Sequence, residues 1–309
     1  MSIVVIGSVT WDVAAFASRL PKPGETLIGD RYAVGLGGKG ANQAAAAARL
    51  GQPARFFGRV GDDGFGASVR QALADHGVDP GDLAIDLAAT ALGVILIGQN
   101  GQNAIIQAPG ANRSLTAADV ARAAPAIGQA RAVLMQLEVP LEVSLAAASL
   151  ARQSGALAIF DPAPAPQDGL AGSVLMAFDI VTPNEVEAET YCGFRPTDVE
   201  SGRAAARRLV ELGAPAAIVT LGAGGAAWAS DMARDGACEG FQPAFKVAAI
   251  DAVGAGDCFN GALAVALTEG QPFAAAIRFA AAAAALSTTR PTAAASMPDR
   301  AETDALLRA

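Results

Sequence analysis

Residues 251–261 read Asp-Ala-Val-Gly-Ala-Gly-Asp-Cys-Phe-Asn-Gly, which places a glycine-rich turn directly before a stretch with the composition of a helix. Glycines let a backbone approach a ligand closely. The free N–H groups in the first turn of a helix form an anion site at the positive end of the helix dipole. Asp257 lies in that first turn, where an aspartate is either an ordinary helix cap or a general base held beside a phosphoryl transfer.

Along the rest of the chain, short β-branched runs alternate with alanine-rich helical stretches. The predicted strands are Ile3–Ile6, Arg55–Phe57, Val133–Gln136, Leu157–Phe160, Ile180–Thr182 and Ile218–Leu221. The predicted helices are Ala41–Leu50, Ala67–His76, Leu141–Ser154, Ser201–Leu212 and Cys258–Leu267. This alternation predicts an α/β fold with a mainly parallel central sheet and helices on both faces. Glycines follow the helical stretches, as C-cap glycines do, at positions 51, 77, 155, 213 and 270.

Two regions, 11–36 and 92–108, break this alternation because they contain strand-like pieces with no helix between them. Gly93–Gly98 and Ala104–Ala108 flank a hairpin-like turn, Gln99-Asn100-Gly101-Gln102-Asn103. We expect these pieces to form a small β-sheet lid outside the main sheet. The sequence has no internal repeat and no linker long enough to separate independent units, so a single domain over residues 1–309 is predicted.

A second glycine-rich stretch, residues 35–42, reads Gly-Leu-Gly-Gly-Lys-Gly-Ala-Asn and opens a helix. It fits the G-x-G-x-x-G pattern of dinucleotide sites, but the strand before it is poor. Lys39 is followed by Gly40, so the stretch is not a Walker A loop. Either the glycines only pack a helix, or the segment is a ligand site that offers Lys39 to an anion and Asn42 to a hydroxyl.

Two polar segments follow predicted strands nearer the C-terminus. Residues 182–187 read Thr-Pro-Asn-Glu-Val-Glu, in which Asn184 and Glu187 either form a helix capping box or supply oxygen ligands for hydrated Mg²⁺. Residues 220–225 read Thr-Leu-Gly-Ala-Gly-Gly, a strand end followed by a glycine turn. Ligands of open α/β sheets bind at the carboxyl ends of strands, although this turn could simply lead into residues 226–230.

The composition, 52% hydrophobic and 17% charged residues in 309, allows a large core. A formal net charge of −8 argues against nucleic acid and anionic membranes as partners. Neither a disulfide framework nor a zinc site is predicted, because Cys192, Cys238 and Cys258 are far apart and His76 is the only histidine. The N-terminus reads as a strand rather than a signal peptide, and no apolar run could span a bilayer, so we expect a cytoplasmic protein.

Taken together, these segments resemble the phosphofructokinase-B-type (ribokinase-like) sugar kinase family over essentially the whole chain. The resemblance rests on residues 37–43, 135–138, 161–165, 182–185 and 251–261. The last segment is highly specific for the family, whereas the first and the Gln-Leu-Glu of the second lean towards its ribose kinases. The resemblance implies that the γ-phosphate of ATP, with Mg²⁺, moves to a primary hydroxyl of a small sugar such as D-ribose.

The same resemblance implies roles for individual residues. Asp257 is the catalytic base, and the amides that follow Gly254 form an anion hole, namely those of Ala255, Gly256 and Asp257. Sugar-binding positions are matched by Thr10, Asp12, Gly38, Lys39, Asn42 and Glu138, with Asp257. Nucleotide-binding positions are matched by Asn184, Thr220, Gly222, Gly225 and Gly256. Glu187 matches an acid that holds Mg²⁺ through water.

Further positions match a monovalent-cation site, which implies activation by K⁺, and most ligands in such sites are backbone carbonyls. These positions are Asp251, Val253, Ser287, Arg290, Thr292 and Ser296. The family's lid often makes the contact between the subunits of a homodimer, and we expect the same here.

Two positions depart from the family pattern. Ribose-specific members carry Asn-x-Asp after the first strand, where this chain has Thr10-Trp11-Asp12, and a threonine has a shorter reach and one donor. Trp11 either packs the lid or reshapes the pocket for another pentose, a ketohexose or a nucleoside. Thr292 stands where glycine is usual in the cation loop, and glycine's φ/ψ freedom is lost there.

Three functions therefore remain open at this point. The first is a ribose kinase, and the second is a kinase of the same family that acts on another sugar, sugar phosphate or nucleoside. The third is a non-catalytic sugar-binding or regulatory protein, which would have no need of Asp257 as a base.

Overall fold

The computed structural model describes residues 2–99, 102–231 and 239–309. Its strands are β1 (Ser2–Ile6), β2 (Thr10–Ala17), β3 (Arg31–Gly37), β4 (Ala54–Gly61), β5 (Val78–Asp79), β6 (Leu83–Asp86), β7 (Leu92–Gly98), β8 (Asn103–Ala108), β9 (Ala130–Met135), β10 (Leu157–Phe160), β11 (Ile180–Val181), β12 (Ala216–Thr220), β13 (Gly225–Ser230) and β14 (Glu239–Pro243). Its α-helices are α1 (Lys39–Arg49), α2 (Gly64–Asp75), α3 (Ala117–Ile127), α4 (Leu141–Ser154), α5 (Gly172–Leu175), α6 (Glu185–Cys192), α7 (Val199–Glu211), α8 (Ala255–Thr268), α9 (Phe273–Ser287) and α10 (Arg300–Arg308).

The central sheet has the strand order β14-β13-β12-β11-β10-β9-β1-β4-β5, with β6 also paired to β4. From β12 to β5 neighbouring strands are parallel, whereas β13 and β14 add an antiparallel extension at one edge. Parallel neighbours need crossover connections, which the helices provide. The predicted α/β fold with a mainly parallel sheet is confirmed.

Two hydrophobic clusters cover the two faces of this sheet. Helices α1, α2, α8 and α9 contribute to one cluster, and α3, α4 and α7 contribute to the other. Small side chains bring α8 close to α1, since a Cβ added to Gly261 would lie 2.7 Å from both Ala46 Cβ and Gln43 O. This close crossing sets the first turn of α8 against the first turn of α1.

A separate four-stranded sheet, which we call the lid sheet, has the order β3-β2-β7-β8. Its strands match the two regions predicted from the sequence as a lid, 11–36 and 92–108, except that β2 begins at Thr10 and β3 ends at Gly37, one residue outside the first region. Side chains alternate across a strand, so Thr10 and Asp12 share one face of β2 and Trp11 lies on the other. Trp11 packs against the hydrophobic cluster that α1 and α8 share, which favours the packing interpretation of this tryptophan over a reshaped pocket.

Most element boundaries agree with the sequence predictions to within a few residues, and two details differ. Helix α8 begins at Ala255 rather than Cys258, because residues 255–257 already have helical geometry directly after the N-cap Gly254. Helices α3, α5, α9 and α10 and strands β5, β6, β13 and β14 were not predicted. The five predicted C-cap glycines all adopt positive φ, between 76° and 116°, as that role requires.

Two predicted features touch residues outside the described ranges. The hairpin-like turn between β7 and β8 includes Asn100 and Gly101, and the third cysteine, Cys238, also lies outside. Cys192 and Cys258 are free thiols. Within the described ranges, no helix combines the length and the apolar character that crossing a membrane would require.

Candidate active site

The first turn of α8 is the structural centre of the candidate site. Gly254 is its N-cap with φ 77°, a left-handed conformation that favours glycine, and no side chain caps the turn. Asp257 is the third residue of the helix, so the interpretation of Asp257 as the N-cap is wrong. The backbone amides of this turn and the Asp257 carboxylate therefore lie together at the N-terminus of α8.

Asp257 is only 5% exposed and is held by two amide side chains from α1. Asn42 Nδ2 donates to its Oδ2 at 2.9 Å, and Gln43 Nε2 donates to its Oδ1 at 3.3 Å. Burial raises the pKa of Asp257 to about 7, although the neighbouring Lys39 cation opposes the rise. A carboxylate with this pKa is suited to accept a proton near neutral pH.

Lys39, at the first position of α1, is the cation around which the carboxylates gather. Its Nζ lies 3.7 Å from Asp161 Oδ2. Burial favours the neutral amine, but the charges of Asp161, Asp257 and Glu138 outweigh this effect and raise the pKa of Lys39. Lys39 therefore stays protonated. We call these four residues the acidic cluster.

Glu138, in the loop after β9, connects this loop to the lid sheet through hydrogen bonds. Its Oε2 accepts hydrogen bonds from Ser8 Oγ at 2.5 Å and from the Lys39 backbone N–H at 3.0 Å. Its Oε1 accepts from Gln107 Nε2 of β8 at 3.2 Å. The carboxylate thus lies at the boundary between the lid sheet and the main sheet.

Asp12, on the lid sheet, occupies a slot formed by glycines on the strands beside it. A Cβ on Gly37 would lie 2.1 Å from Asp12 Oδ2, and a Cβ on Gly93 would lie 2.3 Å from Oδ1. Thr10 Oγ1 donates to Asp12 Oδ1 at 2.7 Å, so the hydroxyl that replaces the family's asparagine is already engaged. Burial raises the pKa of Asp12.

The segment after β11 is a capped helix start. Asn184 is the N-cap of α6 and accepts from the N–H groups of Val186 and Glu187, while Glu187 accepts from the Asn184 N–H at 2.7 Å. The predicted capping box is confirmed. Glu187 is 8% exposed, and burial is the main reason that its pKa is raised. Its negative charge in turn helps to raise the pKa of Lys39. A capping role leaves its other carboxylate oxygen available.

The turn after β12, residues 220–225, is here called the glycine turn. Thr220 pairs in parallel with Asn184, which places the turn beside the start of α6. Residues 222–224 are exposed and form one turn of 3₁₀-helix, so they present backbone rather than side chains. Gly225 has φ 114°, and a Cβ there would lie 2.1 Å from Gln242 O.

The residues of the predicted cation site lie on two loops, 251–253 and 287–296, which meet. Asp251 accepts from the N–H groups of Val253 and Thr292, both at 3.0 Å. Thr292 has φ 72° and is the only non-glycine with positive φ among the residues described. Ser287 and Ser296 donate to nearby carbonyls, and Arg290 pairs with Glu302.

The structure thus brings together Lys39, Asn42, Glu138 and Asp257, with Gly38 as the N-cap of α1. It places the cation loops behind the N-cap of α8, where a Cβ on Gly254 would lie 3.0 Å from Ala293 Cβ. Sequence reasoning assigned no role to four polar contributors: Ser8, Gln43, Gln107 and Asp161. Gln43 could have been found, because it is as polar as Asn42 and also interrupts an alanine-rich helix.

Comparisons with known proteins agree with this geometry. The pfkB family carbohydrate kinase pattern matches residues 1–300. Haemophilus influenzae ribokinase is 38% identical over 98% of this chain and 97% of its own length, and Salmonella typhi deoxyribokinase is 36% identical over 94% and 93%. The structure of Arabidopsis thaliana ribokinase complexed with ribose and ATP matches with a TM-score of 0.88 and 33% identity, over 100% of this chain and 99% of that one. This chain belongs to the pfkB family of carbohydrate kinases, and it is an ATP-dependent sugar kinase.

Proposed function

We propose that this kinase transfers the γ-phosphate of ATP to the primary hydroxyl of D-ribose, with Asp257 as the general base. The observation that carries the proposal is the position of Asp257, a buried carboxylate in the uncapped first turn of α8, with its pKa raised to about 7. The proposal is also supported by the ribokinases and the ribose complex among the relatives.

In this mechanism the acceptor hydroxyl gives its proton to Asp257 while its oxygen bonds to the γ-phosphorus. The bond from the γ-phosphorus to the bridging oxygen breaks, and ADP leaves. The amides of Ala255, Gly256 and Asp257 stabilise the charge that develops on the transferred group. Lys39 neutralises the same charge and keeps Asp257 from repelling it. No histidine is needed, because alignment and charge neutralisation supply most of the catalysis.

Sugar hydroxyls would be bound by the polar groups that face Asp257. Asn42 Oδ1 is buried and has no hydrogen-bond partner within the described ranges, so it is ready to accept from a hydroxyl. Asp12, Glu138 and the backbone at Gly38 offer further acceptors and donors. Thr10 assists indirectly, because its hydroxyl orients Asp12.

ATP would lie along the glycine turn, with Asn184, Thr220, Gly222 and Gly225 on the nucleotide side and Gly256 beneath the transferred phosphate. Glu187 would hold Mg²⁺ through water, and its acceptor-only carboxylate suits this ion. Bound there, Mg²⁺ would neutralise phosphate charge. The loops 251–253 and 287–296 would hold K⁺, which is the basis for expecting K⁺ activation.

We further propose that residues 1–309 act as one kinase domain, that it works in the cytoplasm, and that it forms a homodimer through the lid sheet. The dimer is supported by apolar side chains that the lid sheet exposes, namely Tyr32, Val34, Val94, Ile105 and Ile106. An acidic net charge of −8 offers no support for nucleic acid or membrane partners.

The test is ADP release with MgATP and a panel of acceptors: ribose, 2-deoxyribose, arabinose, fructose, fructose phosphates and adenosine, each in Na⁺ and in K⁺. We expect the highest kcat/KM with ribose and a higher rate in K⁺. A clear preference for another acceptor would overturn the ribose assignment. The second candidate is 2-deoxyribose, which is favoured by the deoxyribokinase relative and by the engagement of Thr10 with Asp12.

A further inference from the structure

One buried side chain, Gln43 of α1, connects two acids of the cluster. Its Nε2 donates to Asp161 Oδ2 at 3.1 Å and to Asp257 Oδ1 at 3.3 Å. A side-chain amide nitrogen carries two hydrogens, so a single group can serve both carboxylates at once. Gln43 is fully buried, and water is therefore a poor substitute for it.

The orientation of this amide is fixed from behind by Gln136, the residue after β9. Gln136 Nε2 donates to Gln43 Oε1 at 2.8 Å, which leaves the Gln43 NH₂ group facing the acids. The reverse orientation would set an amide oxygen against two carboxylates. Gln136 is itself confined, because a Cβ on Gly7 would lie 1.9 Å from its Oε1. The two glutamines form a chain that ends at Asp257.

Asp161, the residue after β10, completes the arrangement. It is 5% exposed, accepts from Gln43 and lies 3.7 Å from Lys39 Nζ. Within the described ranges, Asp161 is the only carboxylate that forms an ion pair with the Lys39 ammonium group. The Lys39 side chain is 29% exposed, and this partly enclosed cation gains from an acid partner, so Asp161 determines where the ammonium rests.

We propose that Gln43 and Asp161 are positioning residues for phosphoryl transfer. Gln43, held by Gln136, keeps the Asp257 carboxylate turned towards the acceptor, and Asp161 keeps the Lys39 ammonium beside it. The proposal rests on the role of Asp257 proposed above. Small displacements of reacting groups lower the rate of the chemical step by large factors, so losing either contact is expected to lower kcat.

The two residues act on Asp257 with opposite electrostatic sign. The charged groups that face Asp257 are Lys39, Asp161, Glu138 and Glu187. Removing the negative charge of Asp161 lowers the pKa of Asp257, whereas removing the hydrogen bond from Gln43 raises it. Burial raises the pKa of Asp161 and of Asp257 alike to about 7, so the acid limb of the wild-type pH profile follows the titration of this pair, and in Asp161→Asn it follows Asp257 alone.

The experiment compares Gln43→Met and Asp161→Asn, both close to isosteric, by the pH dependence of kcat/KM for the sugar at saturating MgATP. We expect the acid limb to move up by about one pH unit in Gln43→Met and down by about one in Asp161→Asn. We also expect Gln43→Met to lower kcat by about 10-fold or more while KM for ATP stays within a few-fold. Thr303→Val, which removes a buried hydroxyl in α10, is the control and should leave the profile unchanged.

Unmoved acid limbs in both variants, or limbs that move in the same direction, would overturn the proposal, provided that thermal melting shows folded protein. If Gln43→Met does not fold, Asp161→Asn decides alone, because an asparagine there keeps the shape and the acceptor. Failure of the base assignment is visible separately, since Asp257→Asn would then keep its turnover, whereas with Asp257 as the base it loses turnover whether or not the two limbs move.

Discussion

The acidic cluster and the glycine turn differ in what they present at the candidate site: the first presents charged side chains, the second presents backbone groups. In the acidic cluster, each charged side chain has a partner within 3.7 Å: Lys39 pairs with Asp161, the Gln43 amide donates to Asp161 and Asp257, and Glu138 accepts from the Lys39 N–H. In the glycine turn, residues 222–224 expose backbone N–H and C=O groups, and Ala223 carries the only side chain among these three residues. A cluster of this kind depends on the identity of every side chain, whereas the turn depends only on backbone conformation.

The largest expected effect tests the first half of that comparison. Asp257→Asn keeps the shape of the side chain but removes the base, so we expect kcat to fall by about 10²–10⁴-fold. Binding of ATP and sugar, measured by calorimetry, should change by no more than a few-fold. Asp299→Asn, at the N-cap of α10, is the matched control, because asparagine caps a helix as well as aspartate does. Near-normal turnover in Asp257→Asn would show that the base lies elsewhere.

An intermediate effect is expected where backbone conformation is the only requirement. Gly225→Ala forces a side chain onto φ 114° and against Gln242 O, so the glycine turn must shift. We expect the free energy of unfolding to fall by about 1–3 kcal/mol. We also expect KM for ATP to rise several-fold while KM for the sugar is little changed, as steady-state kinetics would measure. Gly224→Ala, in the same turn but without positive φ, should do much less. Equal effects of the two variants would contradict the role of conformation.

The smallest expected effect concerns Thr292, which holds a glycine-like conformation with φ 72°. Thr292→Gly relieves that strain but makes the unfolded chain more flexible, so we expect a gain in unfolding free energy of about 1 kcal/mol or less. Thr292→Ala keeps a Cβ at the same φ and should gain less. Denaturant unfolding measures both, and ADP release in Na⁺ and K⁺ shows whether the cation response changes. A marked loss of stability in Thr292→Gly would mean that the threonine side chain contributes more than its strain costs.

The fold could be predicted from the sequence because its evidence is local. Runs such as Leu157–Phe160 and Leu141–Ser154 matched the observed strand and helix to the residue, since alternation, length and a following glycine act within a short window. Helix α9 was missed because an almost uniform alanine-rich run has little periodicity to read. In the lid sheet, β7 and β8 were predicted to within a residue from the hairpin-like turn between them, whereas β2 and β3 were found only as a region, because strands outside a βαβ rhythm carry weaker local evidence.

The site could be predicted only in part, for a different reason. Motifs identified Lys39, Asn42 and Asp257, and the close crossing of α1 and α8 brings them together. The contacts of Asp161 and Gln43 join segments far apart in the sequence; the polarity of Gln43 in an alanine-rich helix marks it as a candidate, but nothing local indicates which groups it contacts. The assigned roles remain predictions until the variants are measured.

The slot around Asp12 has a consequence for how such an enzyme can change over generations. One carboxylate is enclosed by missing side chains on two neighbouring strands, Gly37 on β3 and Gly93 on β7. Any single mutation that enlarges a glycine collides with the acid, and a longer residue in place of Asp12 collides with the strands. The acid can therefore be kept only while both glycines are kept, whereas replacing Asp12 by a smaller residue meets no such barrier. On the role proposed for Asp12, recognition of that part of the acceptor thus depends on three positions at once, Asp12, Gly37 and Gly93.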